Sequence, residues 1–260
     1  MKPIEKLDGS DVQLVFCDID DTLTQDGRLE PEAYQAIWDL YRAGIHVVPI
    51  TGRPAGWCEL IARQWPVFAV IGENGGFYFS YQDLTMKRIF IQDQETRSKN
   101  RMRLDQLANE ILKAVPGSAL ASDQFCRQLD LAIDYCEDVP PLSLQHANFI
   151  QKKFEEHGAT AKISSIHVNG WFGNYDKLKM CKVFLKNEFS WYTDKQQNSI
   201  VFVGDSPNDE PMFGEFNLSV GVANVKAFES LLKTPPQFIT HQSFGKGFAE
   251  VSKQILKSKN

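Results

Sequence analysis

No run of eighteen apolar residues occurs in this chain, and no basic segment followed by an apolar stretch opens it, so membrane insertion and secretion are not expected. Paired cysteines are missing as well. The five present, Cys17, Cys58, Cys126, Cys136 and Cys181, are odd in number and scattered without a C-x-x-C pair, which points to a reducing compartment and a cytoplasmic location. Nor is there an excess of positive charge: 28 Lys and Arg against 33 Asp and Glu leave a net charge of −5, so a partner held by broad attraction to nucleic acid is not expected. Internal repeats and low-complexity tracts are absent too. The G-x-x-x-x-G-K-[ST] loop does not occur, and Cys58 to Arg63 is one residue short of a C-x₅-R loop.

What remains is an ordinary globular composition, 43% hydrophobic and 23% charged, in a chain of 260 residues that can hold a core domain with an insertion. Its most informative stretch is Leu14-Val15-Phe16-Cys17-Asp18-Ile19-Asp20-Asp21-Thr22, an apolar run closed by carboxylates. Asp18 and Asp20 are two apart, so strand alternation points both to one side. Two carboxylates about 4 Å apart repel by roughly 4 kcal/mol at an effective dielectric near 20, so the pair needs a cation, a shared proton or strong hydrogen-bond donors. A second acidic tip follows Ser199 to Gly204, in Asp205-Ser206-Pro207-Asn208-Asp209. In an open parallel sheet both tips face the crevice beyond the strand ends, where four carboxylates suit a hard, oxygen-preferring cation such as Mg²⁺.

Between the tips the pattern alternates. Pro31 to Ala43 reads as a helix, His46 to Ile50 as a strand ending at Thr51-Gly52-Arg53, the region of Leu60 and Ile61 as a helix, and Val67 to Ile71 as a strand. This is the signature of a parallel α/β sheet. From residue 82 the pattern changes: a strand-like Lys87 to Ile91, a helix through Leu104 and Val115, an alternating strand from Gln128 to Tyr135, a helix from Ser143 to His157 and a strand from Ala161 to Val168. The alternation of Leu129, Leu131, Ile133 and Tyr135 against Asp130 and Asp134 predicts a half-exposed strand in an antiparallel sheet. The expected organisation is a core of residues 1–81 and 172–260, split by an insertion at 82–171.

With these pieces placed, Asp18-Ile19-Asp20-Asp21-Thr22, Thr51-Gly52-Arg53, Lys177 and Gly204-Asp205-Ser206-Pro207-Asn208-Asp209 resemble, in order, the four motifs of the haloacid dehalogenase superfamily of phosphohydrolases. The α/β insertion between the second and third motifs is similar to the subfamily IIB arrangement, shared with sucrose-phosphate phosphatase and mannosyl-3-phosphoglycerate phosphatase. The resemblance implies a Rossmann-like parallel-sheet core with an inserted C2-type cap. It also implies a Mg²⁺-dependent phosphatase acting on a small phosphorylated metabolite, a sugar phosphate or similar, through an aspartyl-phosphate. Asp18 is then the nucleophile and Asp20 the general acid and base. Asp18, Asp20 through its backbone carbonyl, Asp205 and Asp209 are the metal residues, and Thr51, Gly52, Lys177 and Asn208 bind phosphate, with Lys179 a competitor for the lysine role. Asp21 departs from the family's usual glycine. In the cap, Asp123, Arg127, His167 and Asn169 are candidate substrate contacts, and Trp171 a candidate flat surface under a sugar ring. A phosphomutase on the same fold and a non-catalytic metabolite-binding protein are the alternatives, because fold alone does not imply activity.

Overall fold

A computed structural model describes residues 1–164, 166–189 and 198–259. Strand alternation builds its larger layer. In β2 (Leu14–Asp18), Leu14 and Phe16 join the apolar cluster on one side of the sheet and Val15 and Cys17 the cluster on the other, so the strand is buried on both faces. Before it lies β1 (Lys2–Pro3). After it come the hairpin β3 (Thr24–Gln25) and β4 (Arg28–Leu29), then α1 (Pro31–Arg42), β5 (His46–Ile50) and α2 (Ala55–Gln64). The first half closes with β6 (Val70–Gly72), β7 (Phe77–Gln82) and β8 (Thr85–Phe90). A second segment holds α3 (Gln94–Ala114), β9 (Ala119–Leu120), β10 (Leu131–Asp134), α4 (Leu144–Glu156), β11 (Thr160–Ile163) and β12 (His167–Trp171). The chain returns through α5 (Lys177–Glu188), β13 (Ile200–Gly204) and α6 (Glu210–Glu215), and finishes with β14 (Leu218–Gly221), β15 (Phe238–Ile239) and α7 (Phe244–Ser258).

The large sheet runs β1-β15-β14-β13-β2-β5-β6-β7-β8, parallel from β1 to β6 and antiparallel at β7 and β8. Helices cover both faces, with Ile37, Ile61 and Phe248 of α1, α2 and α7 on one and Met180, Phe184 and Met212 of α5 and α6 on the other. The connections lead outward in opposite directions from β2 and β13, which pair with Val203 opposite Cys17. Their carboxyl ends therefore open a crevice at the reversal point of the sheet. Above it, the antiparallel sheet β11-β12-β10-β9 packs one face on α3 and α4 through Leu131, Ile133, Val168, Leu107 and Phe154.

Several sequence expectations are corrected by this arrangement. The stretch 87–91 pairs with β7 in the large sheet rather than in the smaller one, because the sharp turn at Asp83 and Leu84, both at positive φ, folds it back as a hairpin. The stretch expected as one strand over 161–168 is two strands, β11 and β12, paired antiparallel, with residue 165 outside the described residues. Gln128 to Tyr135 is not half-exposed: in β10 every residue is buried, and Asp134 accepts backbone N–H bonds from Cys136, Glu137 and Asp138. The strand expected at 67–71 is confined to β6.

Two of the points that join the layers lie in the connecting segments and beneath α2. The Gln92 side-chain amide donates to the Phe172 carbonyl at 2.6 Å, and Asn100 donates to Gln92 at 3.1 Å, bracing the two connecting segments side by side. Glu73, fully buried, accepts from Ala55 N (3.0 Å) at the start of α2 and from Gln128 N (2.8 Å), Leu129 N (2.6 Å) and Asp130 N (3.1 Å) at the approach to β10.

Candidate active site

The pleat of β2 delivers Asp18 to the crevice, and β13 delivers Asp205 one residue beyond its end. Asp18 is buried, with Oδ1 accepting from Ile19 N at 2.8 Å and Oδ2 from Lys177 Nζ at 2.6 Å. Lys177 opens α5 behind the N-cap Asp176, whose carboxylate accepts from Lys179 N. Glycine at 75, with φ +99°, lets the preceding turn press against this helix start; a Cβ there would lie 2.1 Å from the Asp176 carbonyl oxygen. Lys179 turns away and bonds Asn174, so the lysine at the site is Lys177.

Asp209 folds back under the second tip. Its Oδ2 accepts from Asp205 N (3.0 Å) and Ser206 N (3.4 Å), and Oδ1 lies 3.4 Å from Lys177 Nζ. Gly204 makes room for it, since a Cβ at 204 would sit 2.4 Å from Asp209 Oδ2. Thr22 Oγ1 and Asn224 Nδ2 hold the two oxygens of Asp205 at 3.2 and 3.3 Å. One oxygen from each of Asp18, Asp205 and Asp209 lies within 4.8 Å of the others. Burial pushes Asp18 up to about 8 and Asp205 up to about 9, each aided by repulsion from neighbouring carboxylates. Burial works against the Lys177 ammonium, but Asp18 and Asp209 more than compensate and hold it charged. With one lysine among three buried carboxyls, ionising all three together calls for a further cation, and an all-oxygen donor set fits a hard divalent one.

Asp20 stands apart from that triad. Arg53 grips it through Nε (3.1 Å) and Nη2 (2.9 Å) to Oδ1, while Thr51 Oγ1 donates to Oδ2 at 3.5 Å. Arg53 Nη1 reaches Glu137 of the smaller layer at 3.3 Å. Thr51 is fully buried and its hydroxyl also accepts from Arg53 N. A cavity of about 560 Å³ opens over these groups. Gly52, Asn208 and Lys177 line it from the core and Arg127, His167 and Asn169 from the smaller sheet; Asp123 does not reach it.

The polar groups of that sheet are largely engaged with one another. Arg127 binds Asp123 (3.0 Å) and Asp130 (3.0 Å) and donates to the Gly52 carbonyl at 3.0 Å, so it ties the layers together. Asn169 donates to Asp130 at 3.0 Å. Trp171, the candidate flat surface, is 1% exposed and stacks on Tyr175 beneath the sheet, out of reach of any ligand. Sequence reasoning missed Arg53, Glu137, Thr22 and Asn224. Arg53 and Thr22 carried a signal, lying inside motifs already singled out; Glu137 and Asn224 carried none.

Residues 15–109 match a family model described as haloacid dehalogenase-like hydrolase. A phosphoglycolate phosphatase of Thermoplasma acidophilum is 24% identical over 249 residues, 94% of this chain and 98% of that protein. A Thermoplasma acidophilum crystal structure superposes with a TM-score of 0.72 at 20% identity, covering 94% of this chain and 98% of the other. The sucrose-phosphatase of Synechocystis, solved with sucrose and phosphate, gives 0.65 at 14% identity with 94% and 98% coverage. At such identities the structural likenesses speak for the fold.

Proposed function

We propose that the chain is a haloacid dehalogenase-like hydrolase in the subfamily IIB arrangement and a phosphatase, a reading supported by the family-model match and the phosphatase relative, and that it hydrolyses the phosphate monoester of a small metabolite, a sugar or a molecule of similar size, through an aspartyl-phosphate on Asp18 with Mg²⁺ as cofactor. The observation that carries the reading is the close set of Asp18, Asp205, Asp209 and Lys177 beside an Asp20 that is held by a separate partner.

In this reading an Asp18 oxygen attacks phosphorus and the bond to the leaving oxygen breaks, while Asp20 gives that oxygen its proton. Asp20 then takes a proton from water as the water attacks the phosphorus, freeing Asp18 and inorganic phosphate. Thr51, the Gly52 amide, Lys177 and Asn208 hold the phosphoryl oxygens, where fixed positive charge counts most in the transition state. Arg53 aims Asp20 toward the leaving oxygen. Asp18, Asp205, Asp209 and the Asp20 carbonyl would hold Mg²⁺, which when bound offsets repulsion between the anionic nucleophile and the anionic ester. The segment from α3 to β12 serves as the cap that meets the leaving group.

Inorganic phosphate release from sugar phosphates, phosphoglycerate esters and p-nitrophenyl phosphate, with Mg²⁺ or EDTA, tests this. Wild type is expected to turn over at least one ester only with Mg²⁺, and Asp18→Asn to lose it. Full activity in Asp18→Asn would sink the nucleophile assignment.

A further inference from the structure

The underside of the smaller sheet faces the catalytic crevice. Residues directly opposite in paired strands share a face, and the register sets Lys162 opposite Asn169 and His167 opposite Asp134. Ala161, Ile133 and Val168, on the alternate positions, pack toward α3 and α4. Lys162, His167 and Asn169 thus lie in one patch of the cavity wall.

Most charges around the cavity are answered. Arg53 spans Asp20 and Glu137, Arg127 spans Asp123 and Asp130, and Lys177 spans Asp18 and Asp209. Among the described residues that line it, Lys162 is the cation with no carboxylate partner, and its side chain is exposed to the cavity. His167 is 3% exposed, and its buried Nε2 lies 2.9 Å from a Glu137 oxygen, so that side chain is taken up by Glu137. Leu144, Ile166, Phe228 and Leu231 supply hydrocarbon around them.

A neutral sugar ring would use several free carboxylates and amides to bind its hydroxyls. Here Asp123, Asp130 and Asp134 and the Asn169 amide are committed to internal partners. This face of the wall offers instead one free positive charge, Lys162, and an apolar surround. Resting on the phosphatase reading above, we propose that the leaving group carries an anionic substituent, a carboxylate or a second phosphate, received by Lys162.

Matched esters decide this: 3-phosphoglycerate against glycerol 3-phosphate, and fructose 1,6-bisphosphate against fructose 6-phosphate, with p-nitrophenyl phosphate on the wild type to report the phosphoryl chemistry. The charged member of at least one pair is expected to win by about tenfold or more in kcat/KM, as a charged hydrogen bond implies. Which pair shows it identifies the anion. Lys162→Ala should erase that ratio mainly through KM, and Lys162→Arg should keep it. Equal turnover within both pairs, or a Lys162→Ala that slows both members alike, overturns the proposal while leaving the phosphatase intact. Absence of phosphate release from every ester, p-nitrophenyl phosphate included, overturns both.

Discussion

Replacing Glu73 by alanine should be among the most damaging single changes outside the catalytic cluster. Its two oxygens accept four backbone N–H groups, and all four lose their acceptor together. A buried N–H without a partner costs about 1–3 kcal/mol, and water entering the vacated space recovers part of that, so a net loss of about 4 kcal/mol is expected. For a protein of this size that lowers Tm by about 8–16 °C. Glu73→Gln separates charge from geometry. Burial and the nearby Asp130 hold the Glu73 carboxyl up to about 7, so losing its charge costs little, whereas the amide nitrogen turns toward donors rather than accepting from them. Its loss should be roughly half that of alanine, about 2 kcal/mol. Thermal and urea melts followed by circular dichroism read both. An alanine variant melting within 2 °C of wild type, or a glutamine variant worse than alanine, would refute the reasoning (thresholds set at about the smallest shift expected per kcal/mol).

Two further outcomes follow from the acidic cluster. Asp18 and Asp205 titrate higher in the folded chain, near 8 and 9, than unfolded, so the stability they contribute is present at low pH and is lost as pH rises through those values. Metal-free protein should therefore lose more than about 2 kcal/mol from this source between pH 6 and pH 9, Mg²⁺ should flatten the decline, and Asp205→Asn should weaken both effects in melts across that range. Asp21 sits at φ +57°, where glycine is at ease, and its carboxyl is raised by burial and by Asp20 and Asp26. Asp21→Gly should raise Tm by about 1–4 °C, from about 0.5–1 kcal/mol of relieved backbone and charge strain; a lower Tm in the same melt would contradict this.

The parallel core was legible because each strand carries its own periodicity and each ends at a visible change of residue type; Asp18 and Asp205 announce themselves at those ends. Asp21 shows how a departure from pattern reads once φ is known: the position wants glycine, and aspartate tolerates the left-handed region better than most. The smaller sheet was less legible. Reading 161–168 as one strand sets Lys162 and His167 on opposite faces, and only the turn between β11 and β12 brings them to the same one. Asp130 and Asp134 look like a solvent face because alternation reports polarity and is silent about partners; Arg127, Asn169 and three backbone N–H groups meet them inside. Glu73 left no trace at all, since its partners are main-chain groups 18 to 57 residues away.

The Gln92 brace and the Glu73 knot fasten the smaller layer to the larger at two separate places. Two fixed points define a line, but Arg127, donating to the Gly52 carbonyl beside the cavity, is a third tie, so a swing of the upper layer about that line must break it. Contacts away from that axis, such as Arg53 with Glu137, must then lengthen in a common phase and not at random. Loosening either fastening would trade a single arc for wobble.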